Sequence, residues 1–338
     1  MKRKPWRWMV LCLMLFVCGP ALAADVAHAG DALLKRPEVQ AYIRRLVDGF
    51  GFDENSLRAL FSKVRLQPGV ISTLSKPAEV MPWDRYRALF LTAAHVRGGI
   101  KFQRDNAAVL ERARQERGVP GEIVSAIIGV ETRYGRNTGG YRVMDILTTL
   151  AFDYPKRADF FRGELEAFLM FTKAEGTDPF SYRGSYAGAM GMPQFMPSSY
   201  TRFAVDFDED GRRDIHHSTA DSIGSVAYYL SAYGWRSGEP VAVRAKVSGE
   251  QYRGLRNQGF DAWHSLDELK ALGITPEEEI EGDRQALFIT LETAQGPEYW
   301  LGFRNFYVIT RYNHSTYYAM AIYQLSREIT LANKSSPP

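Results

Sequence analysis

The chain has 338 residues, of which 45% are hydrophobic, 24% charged and 13% aromatic. This is an ordinary globular mixture, which excludes long disorder, collagen-like repeats and a disulfide-dense scaffold, and the length suffices for two or three subdomains around sizeable cores. The formal net charge is +3, too small to point to a polyanionic partner.

Lys2, Arg3, Lys4 and Arg7 precede an apolar run from Met9 to Val17, and Ala21-Leu22-Ala23 supplies small residues at the spacing of a signal-peptidase site. The run is short for a membrane span. Residues 1–23 are therefore expected to be a cleaved secretory signal, the alternative being an uncleaved anchor. Four positive charges and no acids leave with this segment, which takes the formal charge from +3 to −1. No global argument for nucleic-acid binding survives that change. Cys12 and Cys18 leave as well, so the remaining chain has no thiol chemistry and tolerates an oxidising compartment. Val17 fits poorly with the small residue that precedes a lipidated cysteine. A soluble exported protein is expected over an outer-membrane lipoprotein, and no later segment is apolar enough to span a membrane.

Residues 24–117 read as a helical subdomain. Val39, Ile43, Leu46 and Val47 fall on one stripe. Leu57, Leu60, Phe61 and Val64 make another, after a capping candidate at Asp53. Trp83 to Val96 and Phe102 to Gln115 are predicted as two further helices, separated by Gly98-Gly99. Pro120 lies near the first turn of the next helix. From Glu122 to Tyr233 short helices alternate with Gly-, Pro- and Asp-rich loops. Val241 to Val247 alternates with period two, and Gln285 to Thr290 and Tyr299 to Thr310 are rich in Phe, Tyr, Ile and Val; all three read as strands of a small insert over 239–303. A last helix is predicted over Tyr317 to Ile329. The chain stops at Pro338 soon afterwards, so any glycan affinity is expected from the core itself rather than from an added wall-binding domain.

Two stretches carry chemistry. Ile123, Ile127 and Glu131 are four apart, so Glu131 continues an otherwise apolar stripe. Partial desolvation there, and the negative end of a helix dipole if the helix ends by Gly135, would raise its pKa toward the range of a general acid. A partly exposed Glu with ordinary solvation is the competing reading. The loop from Arg183 to Tyr200 holds Gly184, Gly188, Gly191, Pro193 and Pro197 with Gln194 among them. It suits the wall of a groove for a polar polymer, or a plain connection between packed helices.

An acidic loop follows. Asp206, Asp208, Asp210 and Asp214 stand at loop positions 1, 3, 5 and 9 of an EF-hand pattern, with Gly211 at position 6 and the Arg212 carbonyl at position 7. Position 12 is His217 rather than Glu, so Asp221 is the candidate to close the loop. A structural calcium ion is expected, since five acids this close repel one another without a cation; a solvated acidic turn is the alternative. His216 and His217 make no convincing zinc site, and no organic cofactor is expected.

Gly129-Val130-Glu131-Thr132-Arg133-Tyr134-Gly135, Gly188-Ala189-Met190-Gly191, Gln194-Phe195-Met196-Pro197-Ser198-Ser199, and Asn305-Phe306-Tyr307 with Arg311-Tyr312-Asn313-His314-Ser315 closely resemble, in this order, the lytic murein transglycosylase B family. The resemblance spans most of the chain after the signal. It implies a mainly α (α+β) fold with a lysozyme-like catalytic core at 118–238, the EF-hand-like loop at 206–221 within it, and a return to the core at 304–338. It also implies a lengthened acidic loop of the kind seen here. Its activity would be cleavage of the bond between N-acetylmuramic acid and N-acetylglucosamine, with Glu131 as acid and then base and a 1,6-anhydro product. No second acid accompanies Glu131 in its motif, whereas ordinary glycosidases use two; Asp145 and Asp153 are the nearest downstream. In the family the substrate's own N-acetyl group is thought to take the second role. By the same resemblance Ser185, Gln194, Tyr229, Tyr312, Asn313 and Tyr318 are substrate-binding candidates, with core packing as the competing role of each tyrosine. The implied partner is peptidoglycan glycan strands, with other cell-wall enzymes a further possibility; a periplasmic monomer is expected. A lysozyme-type hydrolase and a non-catalytic glycan- or calcium-binding module are the alternatives.

Overall fold

The structure, a computed structural model, describes residues 26–75, 81–256 and 258–335. The expected signal, with Cys12 and Cys18, lies outside the described residues.

Seven helices come first: α1 (Val26–Leu34), α2 (Pro37–Phe50), α3 (Glu54–Phe61), α4 (Pro68–Ser75), α5 (Trp83–Phe90), α6 (Ala93–Asp105) and α7 (Ala107–Arg117). In α2, Pro37 occupies the first turn, Val39, Tyr42, Ile43 and Leu46 turn inward, and Gly51 ends the helix in the left-handed conformation. Asp53 caps α3, accepting the Ser56 amide at 2.7 Å. The expected break at Gly98-Gly99 does not occur. Both glycines lie inside α6, and the chain turns instead at Leu91-Thr92, where Thr92 caps α6, and at Asn106. The glycines mark a close approach: a Cβ on Gly98 would come within 2.5 Å of the Tyr134 ring.

Helix α8 (Gly121–Thr132) is the axis of the molecule. Every residue from Ile123 to Thr132 is buried, because α6, α7, α12 (Thr219–Ala232) and α15 (Thr316–Ser335) pack around it. Between these lie α9 (Val143–Asp153), α10 (Ala158–Glu175) and α11 (Pro197–Phe203), with α9 against α10 and α10 against α11. A two-stranded ribbon pairs β1 (Tyr141–Arg142) with β2 (Arg183–Gly184) antiparallel.

The second sheet lies in the insert. Its strands β3 (Ala242–Val247), β4 (His264–Ser265), β5 (Ile274–Pro276), β6 (Gln285–Thr293) and β7 (Gly296–Gly302) pair antiparallel in the order β4-β6-β7-β3-β5, with Phe288 opposite Leu301. A short helix, α13 (Leu266–Ala271), carries Leu269 onto the sheet. Alternation sends Ala286 and Phe288 into a core belonging to the insert, while Leu287, Ile289 and Leu291 join the main core. The strand expected over Tyr299 to Thr310 is correct only in its first part. From Arg304 to Tyr312 the chain is α14. There Asn305, Phe306, Val308, Ile309 and Thr310 are buried, a helical rather than an alternating pattern.

Candidate active site

Glu131 lies in the last turn of α8. The residue is buried, 8% exposed. The Tyr318 hydroxyl, in the first turn of α15, donates to its Oε1 at 2.6 Å. Burial raises the carboxyl from an ordinary value of 4.5 to about 7, and the Tyr318 hydrogen bond pulls weakly the other way. Burial, with the Glu131 charge beside it, pushes the Tyr318 hydroxyl well above its ordinary value, so that it stays a donor.

Four carboxylates are buried among the described residues: Glu131, Asp145, Glu164 and Asp221. Three are held by strong donors. Asp145 accepts two bonds from the Arg142 guanidinium and one from the Arg65 amide. Glu164 accepts the amide and hydroxyl of Ser198. Asp221 accepts three backbone amides. Glu131 has only a phenol. It is therefore the buried acid whose ionised form is least compensated. Asp153, half-buried, is paired with Arg36. Neither Asp145 nor Asp153 forms a bond to Glu131.

The helix ends in an unusual turn. Arg133 and Tyr134 both adopt positive φ, 51° and 62°. This is a strained conformation for such side chains. The Tyr134 hydroxyl donates to the His95 carbonyl at 2.7 Å, and its ring fills the space above Gly98 and Gly129. Thr132 Oγ1 accepts the Gly135 amide and donates to the Met192 carbonyl, both at 3.0 Å. These contacts tie the end of α8 to the glycine-rich loop. Thr132 and Tyr134 stand in the Glu131 motif, but only the tertiary contacts disclose what they do.

The loop comes to the same place. The Tyr312 hydroxyl donates to the Pro193 carbonyl at 2.6 Å, and the Tyr312 ring lies parallel to that of Tyr318 at 6.4 Å. Gln194, at φ 52°, donates through Nε2 to the Thr138 and Gly191 carbonyls. Ser185 Oγ accepts the amides of Ala187 and Ala189, which leaves its proton available to a ligand. Tyr229 differs. Its hydroxyl donates to the Arg311 carbonyl at 2.6 Å and its ring is buried among Phe195, Phe203, Tyr233 and Tyr312. Its contacts are those of packing behind Tyr312. Asn313 closes α14, where its carbonyl accepts the Ser315 amide.

The acidic loop forms a separate centre. Carboxylate oxygens of Asp206, Asp208 and Asp210 all lie within 4.8 Å of one another, a donor set suited to a hard cation. Gly211, at φ 89°, makes the sharp turn. Asp214 faces elsewhere: it accepts the His216 and His217 amides and pairs with the His217 ring. Both oxygens of Asp221 are engaged by amides of Phe207, Asp208 and Asp214. The structure thus brings three of the predicted oxygen donors together, and gives Asp221 the loop's backbone to hold.

Residues 35–327 match the family described as the transglycosylase SLT domain. The chain is 43% identical over 318 residues to the membrane-bound lytic murein transglycosylase B of Escherichia coli (strain K12), covering 91% of this chain and 87% of that protein. The soluble lytic transglycosylase SltB1 from Pseudomonas aeruginosa superposes with a TM-score of 0.84 at 46% identity, over 88% of this chain and 100% of that one. The Escherichia coli lytic transglycosylase Slt35 in complex with calcium does so with a TM-score of 0.83 at 41% identity, over 92% and 100%.

Proposed function

The chain belongs to the transglycosylase SLT-domain family and is a peptidoglycan lytic transglycosylase with a lysozyme-like core; on that premise we propose that Glu131 alone is its acid and base. The observation that carries this is the buried carboxyl held by a single phenol, with a pKa raised to about 7.

Near neutral pH a large fraction of Glu131 is protonated. It donates that proton to the glycosidic oxygen as the bond from C1 of N-acetylmuramic acid breaks. The resulting carboxylate then takes the proton of the muramyl C6 hydroxyl, whose oxygen attacks C1. One proton leaves Glu131 and one returns, and no water is consumed. Among the described residues the other buried acids are committed to guanidinium, hydroxyl or amide partners, which leaves none of them free to act as nucleophile. The substrate's own N-acetyl group supplies that role. Tyr318 orients the carboxyl, Tyr312 with Tyr229 behind it holds the loop at Pro193, and Ser185, Gln194 and Asn313 border the glycan. Mass spectrometry of fragments released from purified peptidoglycan tests this. Anhydromuramyl ends that vanish with Glu131→Gln support it; reducing ends would mean a hydrolase.

Calcium is proposed as a structural ion on Asp206, Asp208, Asp210 and the Arg212 carbonyl, with Asp214 and Asp221 ordering the loop around it. The calcium complex of Slt35 supports this reading. The ion would neutralise the converging carboxylates, while Asp221 in the first turn of α12 holds the loop's backbone through three amides. Export to the periplasm follows from the substrate and from the signal-like start. No helix of the described residues is long and apolar enough to cross a membrane. We take 24–117, 118–238, 239–303 and 304–338 as the working subdivision of the exported chain.

A further inference from the structure

Asn305 and Tyr307 stand in one of the segments that carries the family resemblance, yet their contacts lead away from Glu131. Asn305 is fully buried. Its amide oxygen accepts the Arg236 backbone N–H at 2.8 Å, and its amide nitrogen donates to the carbonyls of Arg236 and Glu239. It thereby fixes the 236–239 turn against the start of α14. Tyr307, two residues on, supports Trp263 edge to face at 5.9 Å and lies beneath the Arg304 guanidinium. The residues they hold, Arg236, Glu239, Trp263 and Arg304, line a pocket of about 550 Å³ between the insert and the core.

The pocket's lining carries both charge signs. Arg236 and Arg284 reach opposite oxygens of Glu239 at only 3.5 and 3.4 Å, so one carboxylate is shared between two guanidinium groups and leaves their charge incompletely balanced. Arg304 adds a third cation. Next to Arg284, whose Nε donates to the Glu281 carbonyl, Glu281 and Asp283 are exposed carboxylates without an ion pair among the described residues. Trp263 adds an aromatic side chain to the lining. Cations and free carboxylates around one aromatic side chain suit a dipolar peptide better than a neutral sugar.

We propose that this pocket receives a peptide stem of the glycan strand lying in the groove, through its free carboxylates and amine. The inference rests on the reading of the chain as a peptidoglycan transglycosylase. Helix α14 links the two places: its nine residues span about 13 Å at 1.5 Å per residue, from the pocket at Arg304 to Tyr312 beside the Tyr318–Glu131 pair.

Binding is measured by calorimetry on the full Glu131→Gln protein, so that it does not depend on turnover. The probes are an N-acetylmuramyl tripeptide containing a diamino acid, and an N-acetylglucosamine trimer. The proposal expects Arg284→Ala and Trp263→Ala each to weaken the muramyl peptide about tenfold and to leave the sugar trimer's affinity in place. Arg284→Lys and Trp263→Phe serve where an alanine variant unfolds. In the active enzyme the same changes lower the ratio of kcat/KM for peptide-bearing over peptide-free strands by a similar factor. Unchanged muramyl-peptide binding would overturn the proposal, and so would equal losses for both probes, which would make this a glycan site. Cleavage that survives in Glu131→Gln overturns the assignment of Glu131 and leaves the binding result standing.

Discussion

Glu131 and the aspartates of the 206–210 loop carry the same functional group in opposite surroundings. Glu131 is alone, closed off by α8, α15 and the Tyr312–Tyr318 pair, and its one partner is a phenol. Asp206, Asp208 and Asp210 converge within 4.8 Å on a turn where Asp208 and Asp210 are exposed. Loss of water moves the first toward its neutral form, which can give up a proton. Retained water and convergence suit the others to a cation. What differs is the company each carboxyl keeps, and the useful experiments change that company.

The largest effect should follow removal of the acid. Glu131→Gln keeps the shape and loses the titratable proton, and peptidoglycan cleavage should fall by about 10³-fold or more, at the upper part of what general acid–base catalysis supplies. Turnover measured on purified sacculi checks this; a loss under tenfold would move the acid elsewhere.

Stability should show the same burial. The folded carboxyl titrates near 7 against an ordinary value of 4.5. Folding therefore favours its protonated form. The associated stability is complete below pH 4.5 and is lost as pH rises through 7, of order 3 kcal/mol in all. Chemical denaturation of the wild type and Glu131→Gln at pH 4.5 and pH 8 should give curves that diverge by this amount. Parallel curves would show that Glu131 is not desolvated.

Tyr318→Phe should cost less, about ten- to a hundredfold in kcat. Because the phenol stabilises the ionised carboxyl, its loss should also move the alkaline limb of the pH–rate profile upward. A limb that moves down would reverse the assigned direction of that hydrogen bond.

The acidic loop should respond to the opposite treatment. Calcium at about a hundred times its dissociation constant should stabilise the fold by about 2–3 kcal/mol, raising Tm by a few degrees. Asp210→Asn should abolish the shift, and Glu131→Gln should retain it. A calcium response that survives Asp210→Asn would place the ion elsewhere.

Much of this was legible in the residues. The four-residue spacing of Ile123, Ile127 and Glu131 placed a carboxyl on a buried stripe because a helix repeats locally. Asp206, Asp208 and Asp210 were legible for a similar reason, since a loop ligand set is a short-range pattern. The partners were not: Tyr318 meets Glu131 across 187 positions, and nothing in either segment encodes that contact. The engagement of Asp221 by three amides was hidden likewise, because backbone donors leave no trace in residue identity. Gly98-Gly99 misled for a physical reason. The pair reads as a break, but here small residues admit the Tyr134 ring between α6 and α8. The aromatic run after Phe303 read as strand, although its buried positions follow a helix.

The central claim is that one buried carboxyl is still largely protonated near neutrality. It is tested most directly by carbon-13 NMR of the Glu131 side-chain carboxyl, titrated from pH 4 to pH 9 and assigned by its absence from Glu131→Gln. A midpoint close to 7 is the predicted result. A midpoint near 4.5 would contradict it, since Glu131 would then be ionised throughout the working range and could not supply the first proton.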